Sequence, residues 1–180
     1  PPRVPRRTHQ RRERWLPAMA RLELLGAVAL TEPTHGSDVV SLETTARRDG
    51  DAWILDGVKT YVPDGADADL LIVAARSHEV GLFVVPAQAA GVSVRPLVTM
   101  DLTRKQAEVR LQSVRVPATD ALGGGPGALT RVLDLAGAAL AAEQAGGARA
   151  CLDMAVEYAQ VREQFGRPIG SFQAVQHMCA

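Results

Sequence analysis

The sequence is short of aromatic residues: two Trp, two Tyr and three Phe make up 4% of its 180 positions. Its core must therefore be aliphatic, drawn from the Val, Leu, Ile and Ala within a 47% apolar fraction. Cysteine is scarce as well. Cys151 and Cys179 supply neither a disulfide framework nor metal-ligand spacing. That usage fits a reducing compartment, so a cytoplasmic location is expected. Neither sign of charge is in excess, with 20 Lys+Arg against 20 Asp+Glu. Net charge thus gives no reason to expect nucleic acid or an anionic membrane as partner. No apolar run approaches the ~18 residues of a membrane span. Four scattered histidines and two cysteines suggest no metal site. What remains is enough chain for one domain, or one plus part of a second, with a sizeable core. The chain begins at Pro1 rather than Met, which points to processing or to a piece of something longer.

Charge is nonetheless uneven. Residues 1–14, PPRVPRRTHQRRER, hold six arginines and one glutamate. Such a patch can touch nucleic acid or serve as a transit segment, but a transit segment also wants an amphipathic, Ser-rich run. A disordered or misassembled leader is the favoured reading. From Arg14 to Leu25, Trp15, Leu16, Met19, Leu22 and Leu25 fall near helical spacing, with Pro17 suited to a first turn.

Strand signals follow. Gly26–Leu30 is a short apolar run, and Leu42–Arg48 alternates weakly. Trp53–Leu55 and Val58–Val62 flank Asp56-Gly57, a strong short-range hairpin signal. Leu70–Ala75 and Gly81–Val85 are continuous apolar runs, as in strands buried on both faces. Val92–Leu97 and Glu108–Val116 alternate. Short strands at this spacing predict a β-barrel or sandwich. After the breaker Gly123-Gly124-Gly125-Pro126-Gly127, Leu129–Glu163 is Ala-rich and free of proline, and predicts one long helix held by packing on other helices. Gly166-Arg167-Pro168 reads as its stop, and Ser171 as the N-cap of a second helix that runs off the end at Ala180. The sequence is accordingly expected to be incomplete.

Three motifs carry chemistry. In ALTEPTHGSD, residues 29–38, the backbone around Gly36 and the hydroxyls of Thr31 and Ser37 suit an anionic or heteroaromatic ligand, although an ordinary turn has the same composition. In KTYVPDG, residues 59–65, Tyr61 can stack on a flat ring or simply fill the core. In YAQVREQFGRPIGSFQAVQH, residues 158–177, Arg162 shares a helix face with Tyr158, where it either satisfies helix carbonyls or binds a pyrophosphate.

In this order the three motifs resemble the acyl-CoA dehydrogenase family over nearly the whole chain, from about Arg14 to Ala180. The resemblance implies an α+β fold. It comprises a basic leader and a remnant of an N-terminal helical domain (1–25), a β-barrel-like middle domain binding FAD and acyl-CoA (26–122), and the first long helices of a C-terminal bundle (123–180). It implies FAD, held without a GxGxxG fingerprint. The cofactor contacts it implies are Leu30 and Thr31 on the isoalloxazine, Gly36 and Ser37 near phosphates or CoA, and Tyr61 where the family commonly has a ring-packing Trp. Arg162, Phe165 and Gln173 would reach the FAD of a neighbouring subunit, Arg162 at the pyrophosphate and Gln173 at the adenosine half. The implied partners are an acyl-CoA substrate, an electron-transferring flavoprotein as acceptor, and further subunits in a homo- or hetero-oligomer. The implied reaction is α,β-dehydrogenation of an acyl thioester, in fatty-acid, branched-chain or steroid side-chain β-oxidation. A carboxylate takes the α-proton and flavin N5 takes the β-hydride.

The chain also departs from the family pattern. Pro63 stands where relatives often have a Thr that donates to the flavin, and it offers neither hydroxyl nor N–H. The usual catalytic Glu falls beyond Ala180. An alternative base position early in the long helix is about Ala136, with Gly137 in place of an Arg, while nearby Asp134 and Glu143 read as a solvated face. The expectation is a chain that does not turn over alone. The alternative is a non-catalytic FAD- or CoA-binding subunit whose partner supplies the base.

Overall fold

The computed structural model describes residues 6–34, 38, 41–122 and 125–180. Helix α1 spans Arg6–Ala20. It begins inside the arginine-rich segment, so the leader expected to be disordered is helical from Arg6 onward. Pro17 falls in the last turn rather than the first. A proline there removes one backbone donor and crowds the turn before it. The helix stops three residues later, and Leu22 turns the chain with a φ of 57°.

The strands are β1 (Gly26–Ala29), β2 (Thr45–Asp49), β3 (Ala52–Pro63), β4 (Leu70–Arg76), β5 (Val80–Pro86), β6 (Val92–Leu97), β7 (Gln106–Pro117) and β8 (Ala121–Leu122). They form one sheet in the order β6-β7-β3-β2-β4-β5-β8, with β1 parallel to β4. The sheet curls so that β1 to β5 and β7 share one core: Ala29, Leu55, Leu71, Val73, Val85, Val109 and Val114 are shut off from water. Each Val or Leu side chain buried in this way contributes about 1.5–3 kcal/mol. In this core the aromatics add an edge-to-face pair, Trp53 on Phe83 at 5.5 Å. β4 and β5 are buried along most of their length, as their unbroken apolar runs require.

The Asp56-Gly57 hairpin does not form. β3 runs straight through both residues, and the turn lies earlier, at Gly50-Asp51, where Asp49 pairs with Ala52. Asp56-Gly57 is instead a bulge, with a register shift against β7 between Leu55 and Gly57. The Asp56 carboxylate accepts the Ser113 N–H at 2.7 Å, and Gly57 has a φ of 154°. A tight turn and a bulge both want a short side-chain acceptor beside a glycine, so the dipeptide does not distinguish them. On β7, Ser113 takes a φ of 51°, and the buried positions jump from Leu111 to Val114 across it.

Helix α2 spans Gly125–Val161. The chain divides into two compact units, the first ending at Leu129 and the second starting at Thr130. Leu129 packs with Leu42, Ala74 and Leu82 of the first unit. In the second, Leu135, Leu140 and Met154 of α2 are exposed. Α2 ends before the expected stop. Gly166-Arg167-Pro168 belongs to a two-stranded hairpin of β9 (Glu163–Gln164) and β10 (Arg167–Pro168). Ser171 does not cap a helix: its hydroxyl donates to the Pro168 carbonyl at 2.7 Å, and helix α3 (Gln173–Cys179) starts after Phe172. Among the described residues, no helix is long and apolar enough to cross a membrane, and no three His, Cys, Asp or Glu gather as metal ligands.

At Gly57 a Cβ would lie 2.7 Å from the Thr44 Cα, so the backbone itself must move to admit a side chain. Gly57→Ala is expected to lower unfolding free energy by about 1–3 kcal/mol, measured by urea denaturation.

Candidate functional site

β1 delivers the chain into the loop that starts at Leu30, and this loop is fastened to β3. The Thr60 N–H donates to the Thr31 carbonyl at 2.9 Å. One residue earlier, the Lys59 ammonium donates to the Leu30 carbonyl at 3.1 Å and to Glu32 Oε1 at 2.7 Å. Both side chains are buried, Lys59 at 0% and Glu32 at 2% exposure. The Glu32 carboxylate also accepts the backbone N–H groups of Glu43 and of Thr44, the latter at 2.9 Å. Glu32 and Lys59 stand in two of the motifs read from the sequence, yet nothing there marked them as a pair. The available signal was a lysine inside an otherwise buried strand segment, which demands a counter-charge.

Beyond this anchor β3 bulges again, with a register shift between Lys59 and Val62. Tyr61 occupies the bulge in the left-handed region, φ 50°, with 59% of its surface exposed. A bulky residue in that conformation is strained, by about 1–3 kcal/mol. Tyr61 is therefore not a core aromatic. The half-buried Thr31 hydroxyl makes no hydrogen bond among the described residues. The Thr31 hydroxyl and the exposed Tyr61 ring, on segments joined by the Thr60–Thr31 hydrogen bond, have the chemistry that a flat, polar-edged heteroaromatic such as an isoalloxazine would require. Pro63 ends the strand opposite Gln106 and is exposed. Gly36, Ser37 and His35 lie outside the described residues.

In the second unit, the β9–β10 hairpin turns on Phe165-Gly166, both with positive φ, 55° and 75°. A type I′ two-residue hairpin loop needs that geometry and normally uses Asn-Gly or Asp-Gly. Phe165 is 92% exposed at the tip, its ring edge-on to Phe172 at 6.1 Å, and the Arg167 guanidinium lies over Phe172 at 4.1 Å. Arg162 follows α2. Its N–H donates to the Tyr158 carbonyl at 2.9 Å and its carbonyl accepts the Ile169 N–H at 2.8 Å, leaving the guanidinium exposed. Gln173 is exposed at the start of α3. A groove of about 290 Å³ within this unit is lined by Val156, Ala159, Gly170 and Val175 among others, and Arg162, Phe165 and Gln173 do not line it.

Residues 27–114 match the family model for the acyl-CoA dehydrogenase middle domain, and residues 123–180 match that for the acyl-CoA dehydrogenase C-terminal domain. The chain belongs to the acyl-CoA dehydrogenase family. This is a family of FAD-dependent oxidoreductases acting on CH–CH groups. Among its relatives, glutaryl-CoA dehydrogenase of Desulfococcus multivorans is 36% identical over 94% of this chain and 46% of its own. Mitochondrial isovaleryl-CoA dehydrogenase of Solanum tuberosum is 34% identical over 94% of this chain and 44% of its own. A glutaryl-CoA dehydrogenase from Mycobacterium smegmatis, solved in complex with FADH2, superposes with a TM-score of 0.90 at 31% identity, over 94% of this chain and 45% of that one. A structure of the electron transferring flavoprotein of Acidaminococcus fermentans matches with a TM-score of 0.89 at 31% identity, over 95% of this chain and 48% of that one. The chain thus spans about half the length of the relatives it matches.

Within this acyl-CoA dehydrogenase chain, Leu30, Thr31, Tyr61 and Pro63 sit on the first unit, and Arg162, Phe165 and Gln173 on the second. The electrostatics of the first group follow from burial. Burial pushes the Glu32 carboxyl up, but the hydrogen bonds from Lys59, Thr44 and Glu43 outweigh it and hold it below the usual glutamate range. Burial pushes Lys59 down, more than the Glu32 hydrogen bond and charge push it up. The depressed Glu32 contributes stability that is present above the unfolded glutamate pKa and lost as pH falls through the folded one. Lys59 is lowered too, so its pH dependence has the same sign: its burial costs stability that is recovered as pH rises from its lowered value toward the unfolded one.

Lys59→Met leaves a buried carboxylate without its cation, and is expected to cost about 3–5 kcal/mol in chemical denaturation. Glu32→Gln should also flatten the fall in stability below about pH 5 relative to wild type, because the group whose protonation drives it is gone.

Proposed function

We propose that the complete protein is an FAD-dependent acyl-CoA dehydrogenase, removing hydrogens from the α and β carbons of an acyl thioester. The observation that carries this reading is Tyr61, held strained and exposed on a bulge tied to Thr31, whose hydroxyl makes no hydrogen bond among the described residues. In this reading Leu30 and Thr31 contact the isoalloxazine, Thr31 donating to its polar edge, and Tyr61 packs on the ring. Gly36 and Ser37 serve phosphates or CoA. Arg162 and Phe165 reach the FAD of a neighbouring subunit, Arg162 binding its pyrophosphate bidentately, and Gln173 binds the adenosine half. FAD supplies the hydride acceptor when bound.

The base comes from outside these residues. Glu32 is the carboxylate next to Thr31, but it is buried and already accepts from Lys59 and two backbone N–H groups. It therefore positions and does not abstract protons. The names of the relatives support an acyl-CoA substrate and span glutaryl and isovaleryl chains. Electron-transferring flavoprotein is the proposed acceptor, consistent with the Acidaminococcus match. The exposed apolar residues of α2 are expected to be covered by further helices of the C-terminal bundle. Pro63 and the apolar residue at Ala136 favour a second reading, a partner subunit that binds FAD without catalysing.

The test is to load the complete protein with FAD and titrate it with short, branched and dicarboxylic acyl-CoA thioesters, following bleaching of the flavin band. Bleaching by at least one thioester, with electrons passed on to electron-transferring flavoprotein, is expected. Firm FAD binding with no bleaching by any thioester would move the assignment to the partner subunit.

Phe165→Asn supplies a second check. Asn suits the left-handed turn position, so thermal stability is expected to hold. FAD affinity is expected to fall roughly tenfold, about 1.4 kcal/mol, in a flavin fluorescence titration.

A further inference from the structure

We propose that Glu32 and Lys59 are positioning residues for the cofactor face, an inference that rests on the FAD reading above. A buried ion pair is weak evidence of stability, since apolar replacements of similar volume are often as stable or more so. The role of this pair is to be sought in its geometry. Glu32 directly follows Leu30 and Thr31, and Lys59 lies two residues before Tyr61. Lys59 spans the two segments, donating to the Leu30 carbonyl at 3.1 Å and to Glu32 at 2.7 Å, while the neighbouring Thr60 N–H holds the Thr31 carbonyl at 2.9 Å. These bonds engage the Leu30 and Thr31 carbonyls, while the Thr31 hydroxyl makes no hydrogen bond among the described residues and is open to a ligand. Glu32 Oε1 also accepts the Thr44 N–H, its Oε2 accepts the Glu43 N–H, and Thr44 packs against the Gly57 bulge. Neither charged group reaches solvent. Their influence on a bound ring passes through the position of Thr31 and the Tyr61 bulge, where displacements of the order of 1 Å cost up to about a hundredfold in rate.

The decisive comparison is between the single variants Lys59→Met and Glu32→Gln and the double variant, each made in the complete, FAD-loaded protein. The double variant removes both charges, leaving no buried ion unpaired, and its denaturation midpoint should return toward wild type. If the pair positions the site, the folded double variant still shows a shifted flavin absorption band, weaker FAD binding and kcat/KM reduced roughly tenfold to a hundredfold. If band, FAD affinity and kcat/KM recover together with stability, the pair is structural only and the proposal is wrong. Should the double variant not fold, Glu32→Asp decides: it keeps the charge but shortens the reach. A folded Glu32→Asp protein with a perturbed flavin band supports positioning, and one with a wild-type band and affinity overturns it. Wild type is measured alongside. If wild type takes up no FAD, the cofactor reading fails and this inference with it, whereas normal wild-type loading with unperturbed variants sinks only the pair.

Discussion

A lysine and a glutamate, both withdrawn from water, meet at 2.7 Å where the loop after β1 crosses β3. Taking two such charges out of water is expensive, and the attraction between them repays this only when the remaining lone pairs and protons are also satisfied. Here most of that requirement is met by backbone. Glu32 accepts from Glu43 and Thr44, and Lys59 donates also to Leu30. A bare cation or anion at this depth costs about 3–5 kcal/mol, so the pair strongly favours one register of the two segments. The lie of Thr31 and the placement of Tyr61 descend from that constraint.

The second theme is strain placed at the two aromatic residues proposed to face the cofactor. Tyr61 and Phe165 belong to different units, and both adopt positive φ on exposed positions. In each case an aromatic occupies a backbone conformation that glycine or asparagine would adopt more easily, and in neither case is the ring buried to offset the cost. The β3 bulge and the β9–β10 hairpin are different devices with one result: a ring carried out of the regular ladder and presented to solvent. A chain with so few aromatics places two of them in this way.

Regular elements were readable where one force dominated. The unbroken apolar runs of β4 and β5, the alternation of β6 and the long Ala-rich α2 follow from burial periodicity and helix propensity. Reading failed where one signal serves two geometries. Asp56-Gly57 is a bulge where a turn was expected, Gly166-Arg167-Pro168 a hairpin arm where a helix stop was expected, and Ser171 bonds Pro168 where a cap was expected. Pro17 closes a helix it was expected to open. Of the site, the motif order made the family recognisable and named Leu30, Thr31, Tyr61, Pro63, Arg162, Phe165 and Gln173, together with Gly36 and Ser37, which lie outside the described residues. The support beneath them was not legible, because Glu32 and Lys59 lie 27 residues apart and their pairing is a property of strand register.

By itself, then, the sequence determined an aliphatic core, a strand-rich region followed by a long helix, and membership of the acyl-CoA dehydrogenase family. These depend on composition, on periodicity and on motifs contiguous along the chain. Tertiary structure alone decided which glycines bulge and which turn, that Tyr61 faces solvent while Lys59 two residues earlier does not, and that a carboxylate beside Thr31 is committed to a buried ammonium. The reason is physical. Burial, counter-charge and left-handed backbone are settled by what packs against a residue across the sheet, and neighbours along the chain carry no record of it.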